Sequence, residues 1–242
     1  MAGRPRSIME TAYADIKHRI MVLELEPGMP IDDISISKEL GVSRTPVREA
    51  LFRLSTEGLI LSDSGKSGFF VRPMDLVSVS NLFEAHMVTA RAIARLVAVR
   101  ATKENLDEMK TAEQAVVRAI SDEDPAAVAS TNAHLHRLEA TASKNSFLES
   151  LALSIHDHGQ RIGFLAFGGR TSWDLLRDHF SKVQGDHHEL IAAYEARDPD
   201  LAEEIAGRHV LLFRDRIMAF MKMDTVNDVN LGGDILSSAR LD

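Results

Sequence analysis

Residues 41–51 read Gly41-Val42-Ser43-Arg44-Thr45-Pro46-Val47-Arg48-Glu49-Ala50-Leu51. Gly41-Val42-Ser43 is a tight turn. Ser43, or Arg44-Thr45, caps the helix that follows, with Pro46 in its first turn, where a missing N–H costs nothing. Val47, Ala50, Leu51 and Leu54 fall on one face of this helix, and Arg44, Thr45, Arg48 and Glu49 lie toward solvent. Gly58, after Glu57, is the C-cap.

Upstream, Ile34 to Leu40 makes a short helix. Before it, Tyr13, Ile16, Ile20 and Leu23 recur at helical spacing from Met9 to Leu25, and Glu26-Pro27-Gly28 ends that helix. A helix, a three-residue turn with Gly and a second helix form a helix-turn-helix signature. Downstream, Leu59-Ile60-Leu61 and Phe69-Phe70-Val71-Arg72 read as strands joined through Gly65-Lys66-Ser67-Gly68, a hairpin that would be a wing. Such a motif lays its second helix in the major groove with its N-terminal residues at the base edges. Arg44 and Arg48, one turn apart, reach guanine edges or phosphates, and Ser43 and Thr45 suit phosphate contacts. The spacing alone fits a solvated charged helix in a structural domain equally well.

The chain has 242 residues, 28 Lys+Arg, 36 Asp+Glu, 10 His and no Cys, for a net charge of −8. That length predicts one large domain or two smaller ones. Without Cys there is no disulfide scaffold, thiolate zinc site or cysteine nucleophile. The apolar runs fall short of the roughly 18–20 residues of a membrane span, and the N-terminus lacks the apolar core of a signal peptide, so the expected location is the cytoplasm. The acidity argues against a nucleic-acid partner until it is located. Residues 1–72 hold 10 Lys+Arg and 10 Asp+Glu, and residues 73–242 hold 18 and 26 with nine of the His, so all the excess acid lies in the second part.

After Arg72-Pro73 strand signals cease. Six helices are predicted at about 76–101, 103–122, 125–143, 146–167, 172–197 and 199–223, divided by Thr102, Asp124-Pro125, Asn145, Gly168-Gly169 and Asp198-Pro199. The expected fold is mainly α: a winged helix-turn-helix followed by an antiparallel six-helix bundle. The predicted divisions are an arm (1–8), the winged helix (9–72), a linker (73–75), the bundle (76–223) and a loosely ordered tail (224–242).

Asn132 and His136, four apart, share a helix face. His187 and His209 each lie 11 residues from Asp198, so a hairpin turning there sets them side by side. Histidines on neighbouring bundle helices build metal sites, and neutral imidazoles suit Zn, Ni, Fe or Mn. A chance surface distribution of ten His is the competing reading. His158 and Arg161 share a face and form an anion pocket or simply an outer surface.

The first 72 residues resemble the winged-helix domain of the GntR family of bacterial transcription factors. The resemblance rests on residues 41–51, Leu54, Glu57-Gly58-Leu59-Ile60 and Gly68-Phe69-Phe70-Val71. It implies operator contacts from Arg44, Thr45 and Arg48, with Gly65 and Lys66 at the minor groove. Ile34-Ser35-Ile36-Ser37 lacks the basic residue that some members carry there. Residues 76–222 resemble the FCD effector domain of FadR-type regulators, through Asn132-Ala133-His134-Leu135-His136, Ala142-Ser143-Lys144-Asn145, Asp186-His187 and Ala202 to His209. That resemblance implies a divalent metal ion on Asn132, His136, His187 and His209. Asn132 replaces the family's Asp, and a neutral amide is the weaker ligand. His86 and Ala90 stand where the family usually has Arg and Glu, so His86, with His158 and Arg161, is a candidate for the effector's carboxylate.

The function implied is a metabolite-responsive regulator and repressor: a homodimer on an inverted-repeat double-stranded DNA operator, released by a small organic acid. A metal-dependent hydrolase is the alternative from another class. Against it, there is no HExxH and no Gly-rich phosphate loop, and only Glu189 or Asp186 stands near the His set as a base. A regulator sensing the metal itself is the third reading.

Overall fold

The computed structural model describes residues 7–63, 68–167 and 172–222. The chain divides into two compact units, the first ending at Leu76 and the second beginning at Val77. Gly65 and Lys66, and the tail from 224, lie outside the described residues.

In the first unit, α1 spans Ile8–Met21. Its start is set by a capping box: the Ser7 hydroxyl accepts from the Glu10 N–H (3.1 Å) and the Glu10 carboxylate accepts from the Ser7 N–H (2.8 Å). The sequence predicts a helix reaching Leu25, but α1 stops at Met21. Val22 caps it, Leu23 takes a left-handed φ of 59°, and the Leu25 N–H turns back to the Arg19 carbonyl at 3.1 Å. The reversal lets the chain return to the sheet, where the Gly28 N–H bonds the Val71 carbonyl and the Val71 N–H bonds the Met29 carbonyl, both at 2.9 Å.

That return makes β1 (Pro30–Ile31), a strand too short to leave a periodic signal. Next come α2 (Asp33–Glu39), capped by Asp32, and α3 (Arg44–Thr56), joined by a turn in which Gly41 has φ 65°. Ser43 does occupy the N-cap of α3, but its hydroxyl makes no capping hydrogen bond. Strands β2 (Ile60–Asp63) and β3 (Gly68–Val71) pair antiparallel with Ile60 opposite Val71, and the sheet order is β1-β3-β2. Ile16, Ile20, Val47, Leu51, Leu54 and Leu59 form the apolar centre of this unit.

The second unit holds α4 (Leu76–Arg100), α5 (Lys103–Ser121), α6 (Pro125–Ala142), α7 (Ser146–Phe167), α8 (Arg177–Glu195) and α9 (Pro199–Lys222). The fifth predicted helix begins as a 3-10 turn, Trp173–Leu176, before α8 proper. Three of the connections are tight turns built on a left-handed residue: Glu123 (φ 52°), Lys144 (φ 53°) and Arg197 (φ 59°). In two of them an N–H just past the turn reaches back five residues to a helix carbonyl, Asp124 N–H to Ala119 (3.2 Å) and Asp198 N–H to Ala193 (3.0 Å). Such short turns force consecutive helices to run antiparallel. Val97, Met109, Leu135, Leu190, Tyr194 and Ile205 lie in the shared core. No described helix is long and apolar enough to cross a membrane.

Candidate metal centre and DNA-reading surface

On the first unit, α3 presents Ser43, Arg44 and Thr45 to solvent at its N-terminus, with Arg48 one turn on and partly covered. The two guanidinium groups converge on one carboxylate. Arg44 Nη2 donates to both oxygens of Asp33 (3.0 and 3.1 Å), and Arg48 Nη1 donates to Oδ2 (3.0 Å). Asp33 is nearly buried in the first turn of α2. Burial pushes its carboxyl up, but the two arginines outweigh it and hold the group below the usual carboxylate range. The Arg48 guanidinium also lies over the rings of Phe52 (5.8 Å) and Phe69 (5.4 Å). Arg44 keeps 55% of its side chain exposed. Both arginines are thus held by one acid, which occupies only part of their donor capacity. Arg53 points elsewhere: it lies over the Tyr13 ring (4.0 Å) and donates to Glu57 (3.2 Å). Sequence reasoning missed Asp33, which is 11 and 15 residues from its partners and meets them only through the fold.

In the second unit, His136 on α6, His187 on α8 and His209 on α9 each offer one nitrogen, and these atoms all lie within 4.8 Å of one another. The His187 and His209 rings, centred 4.7 Å apart, sit side by side as the equal distances from Asp198 predict. Each ring has an acid behind it. His136 Nδ1 meets Glu139 Oε2 at 2.7 Å, His187 Nδ1 meets Glu113 Oε2 at 2.5 Å, and His209 Nδ1 faces Asp186 Oδ2 at 3.4 Å. Tyr194 donates to the other Glu139 oxygen at 3.1 Å. For His136 and His187 a carboxylate on Nδ1 fixes the proton there and leaves Nε2 as the ligand atom, the arrangement usual behind metal-bound histidines, whereas His209 Nδ1 makes no hydrogen bond.

Desolvation pushes His187 down to about 3 and His209 down to about 4, so both rings are neutral at physiological pH, the form a metal requires. Desolvation raises Glu113 to about 7. Burial pushes Glu139 up as well, but His136 beside it brings it below its ordinary value. The donor set fits a divalent ion on a further ground. His187 Nε2 and Asn132 Oδ1 are both buried without a hydrogen-bond partner. Orphaned buried atoms of this kind call for an ion or water. Asn132 stands one turn before His136 and lines the same cavity.

That cavity, about 50 Å³, is lined by Asn132, His136 and His209, and runs on to Phe167, Phe180 and Phe213. A second space of about 30 Å³ lies beside Glu139 and Tyr194. His86 and His156 line both, their rings 5.4 Å apart, and His156 stacks on His136 at 5.5 Å. Of the three residues expected to hold an effector, His86 lines the cavities, and His158 and Arg161 line neither of these two. Arg161 is fully buried within the bundle. The wall that α7 presents is His156, Gly159, Gln160, Gly163 and Phe167, a single helical face, and position 158 lies about 200° around from 156. The helical spacing of 156, 159, 160 and 163 was the available signal for His156.

Known proteins match both halves. Residues 8–71 match the family model "Bacterial regulatory proteins, gntR family", and residues 81–212 match the FCD domain. The Uxu operon transcriptional regulator of Escherichia coli is 25% identical over 95% of this chain and 93% of its own length. The Nta operon transcriptional regulator of Aminobacter aminovorans is 38% identical, but over only 33% of this chain and 38% of its own length. Among solved structures, E. coli McbR/YncC superposes with a TM-score of 0.74 at 19% identity, covering 89% of this chain and 98% of that one, a likeness of fold. The chain therefore belongs to the gntR family of bacterial regulatory proteins: it is a DNA-binding transcriptional regulator with an FCD domain, not an enzyme.

Proposed function

We propose that this regulator is a metabolite-responsive repressor whose bundle holds a divalent ion, and that a small organic acid binding beside the ion releases the operator. The observation that carries this reading is the His136–His187–His209 set, with its nitrogens within 4.8 Å of one another and a carboxylate behind each ring. Those rings and the Asn132 amide would hold Zn, Ni, Fe or Mn, and the ion would supply a positive charge on which a carboxylate can rest. His86 and His156 lie across the cavity as neutral donors to the same ligand. Arg44, Arg48, Ser43 and Thr45, with Gly65 and Lys66 of the wing, would read the operator. A homodimer would place two such helices on the half-sites of an inverted repeat.

An acid can change operator occupancy only through unequal affinity for the DNA-bound and released states. The cavity extending past the triad favours a metabolite over the metal itself as the signal, because a metal sensor has no use for that space. Two titrations test this. A mobility shift on the DNA upstream of the protein's own operon should show a complex that acid plus metal dissolves. Dissolution by metal alone would establish the metal-sensing reading instead.

A further inference from the structure

We propose that the bundle cavity selects a monocarboxylate with a short, apolar, aliphatic tail, and discriminates against polyhydroxylated acids and dicarboxylates. This rests on the metal-centred reading above and narrows the class of its ligand.

The cavity has two chemically distinct ends. One is polar: Asn132, His136 and His209, with His86 and His156 opposite. The other is a wall of Phe167, Phe180, Phe213 and Val183, in which Phe167 lies 5.2 Å from Phe180 and 6.3 Å from Phe213 between ring centres. Two further polar side chains, Gln160 and His179, line the cavity. Gln160 accepts from Arg137 Nη2 at 3.2 Å, and the His179 ring packs on Phe167 (5.6 Å) and Phe180 (5.4 Å).

Each exclusion follows from this lining. Among the described residues no Lys or Arg lines either cavity, and Arg216, which acts on His179 from outside the lining, donates to the Ala166 carbonyl. A second carboxylate would be buried among the rings with no cation in the described lining to pair with it directly, which is unfavourable. Several hydroxyls carried past the first carbons would give up water for a lining made mostly of phenyl faces, with only Gln160 and His179 there to take some of their hydrogen bonds. Length follows from α9: His209 and Phe213 are one turn apart, about 6 Å, so a few carbons span from the ion to the rings. Size is limited by the volume. About 50 Å³ is well below the roughly 150 Å³ of a cavity known to admit benzene, which favours a short-chain acid over the bulkier benzoate. Gly163 keeps this space open. A Cβ there would stand 3.3 Å from Phe167 Cε2 and 3.8 Å from Phe213 Cε2.

The test is thermal-shift titration of the full chain with saturating Zn²⁺, using butyrate, gluconate, succinate and benzoate as probes. Butyrate should half-saturate at a concentration at least tenfold below each of the others. Gly163→Ala should keep the Zn²⁺ shift and raise the butyrate midpoint at least tenfold. Alanine is the better helix former, so a folding failure is not the expected outcome. Gluconate, succinate or benzoate binding more tightly than butyrate would overturn the proposal, as would an unchanged butyrate midpoint in Gly163→Ala. Loss of any Zn²⁺ shift in the unaltered protein would instead remove the metal-centred reading, and this proposal with it.

Discussion

The two units bury different kinds of residue. The winged helix is dry and apolar inside, with Asp33 and Ser37 its buried polar groups among the described residues, and its chemistry is displayed on the outer face of α3. The bundle takes Glu113, His136, Glu139, Asp157, Arg161, Asp186, His187 and His209 into its interior. A surface that reads another molecule needs only a stiff scaffold beneath it, which apolar packing supplies at no cost in desolvation. A site that must enclose a small ligand has to bring polar groups out of water, and each must then be paired or matched to the ligand. The carboxylates of Glu139 and Glu113, on His136 and His187, are that pairing.

The largest expected effect separates the two units. Arg44→Ala with Arg48→Ala removes two side chains, each worth about 1–3 kcal/mol where it meets a base pair. Operator affinity in a mobility shift should fall by about two orders of magnitude or more, while the Zn²⁺ thermal shift is untouched. If the metal response falls as well, the units are not separable.

Next in size, His187→Ala should abolish the thermal shift given by Zn²⁺, a shift of about 2.7 kcal/mol at a hundredfold excess over Kd. It should leave ligand-free operator binding intact. A surviving shift would place the ion elsewhere.

The third prediction concerns acid. Burial holds His86 at about 3 and His179 at about 4, below the ordinary value near 6.5. A group depressed in the folded state lends stability that is complete above its unfolded pKa and is lost as pH falls. His136, His209 and Glu139 act on His86, and Arg216, His209, Asp178 and Lys182 on His179. Glu113, raised to about 7, works in the opposite sense, its contribution growing as pH falls toward 4.5. The two histidines outweigh it, so the bundle should weaken from about pH 6.5 downward. The winged helix depends on Asp33, a depressed carboxyl, and should hold until below about pH 4. Trp173, the sole tryptophan, lies in the bundle, so its fluorescence reports that half of the molecule. Coincident acid transitions of Trp173 fluorescence and of helix exchange in residues 8–56 would refute the contrast.

The smallest effect is Asp33→Asn. Removing the acid between Arg44 and Arg48 frees both guanidinium groups, so affinity for non-operator DNA should rise a few-fold with a steeper salt dependence. Operator affinity should change less, which narrows the specificity ratio. An unchanged ratio would mean that Asp33 does not position the arginines.

Much of this was legible from local signals. Ser7 with Glu10, Thr102 with Asn105, and Asp124 before Pro125 mark helix starts that the fold uses, because a cap is satisfied within one turn of chain. The pairing of His187 with His209 was legible because a helical hairpin converts sequence distance into height. The end of α1 was not, since Leu23 continues the apolar period while the sheet requires the chain to turn back.

Sequence by itself determined which helices exist, where most of them begin, and which residues share a face, since each depends on interactions spanning about four residues. Tertiary structure decided which faces meet. It set Glu113 behind His187 from 74 residues away, closed Asp33 on two arginines, and aimed His156 into the cavity while His158, two positions on, was turned from it. The physical reason is that helical periodicity is a property of the backbone, whereas the rotation of one helix against the next is set by side-chain packing among segments far apart in the chain.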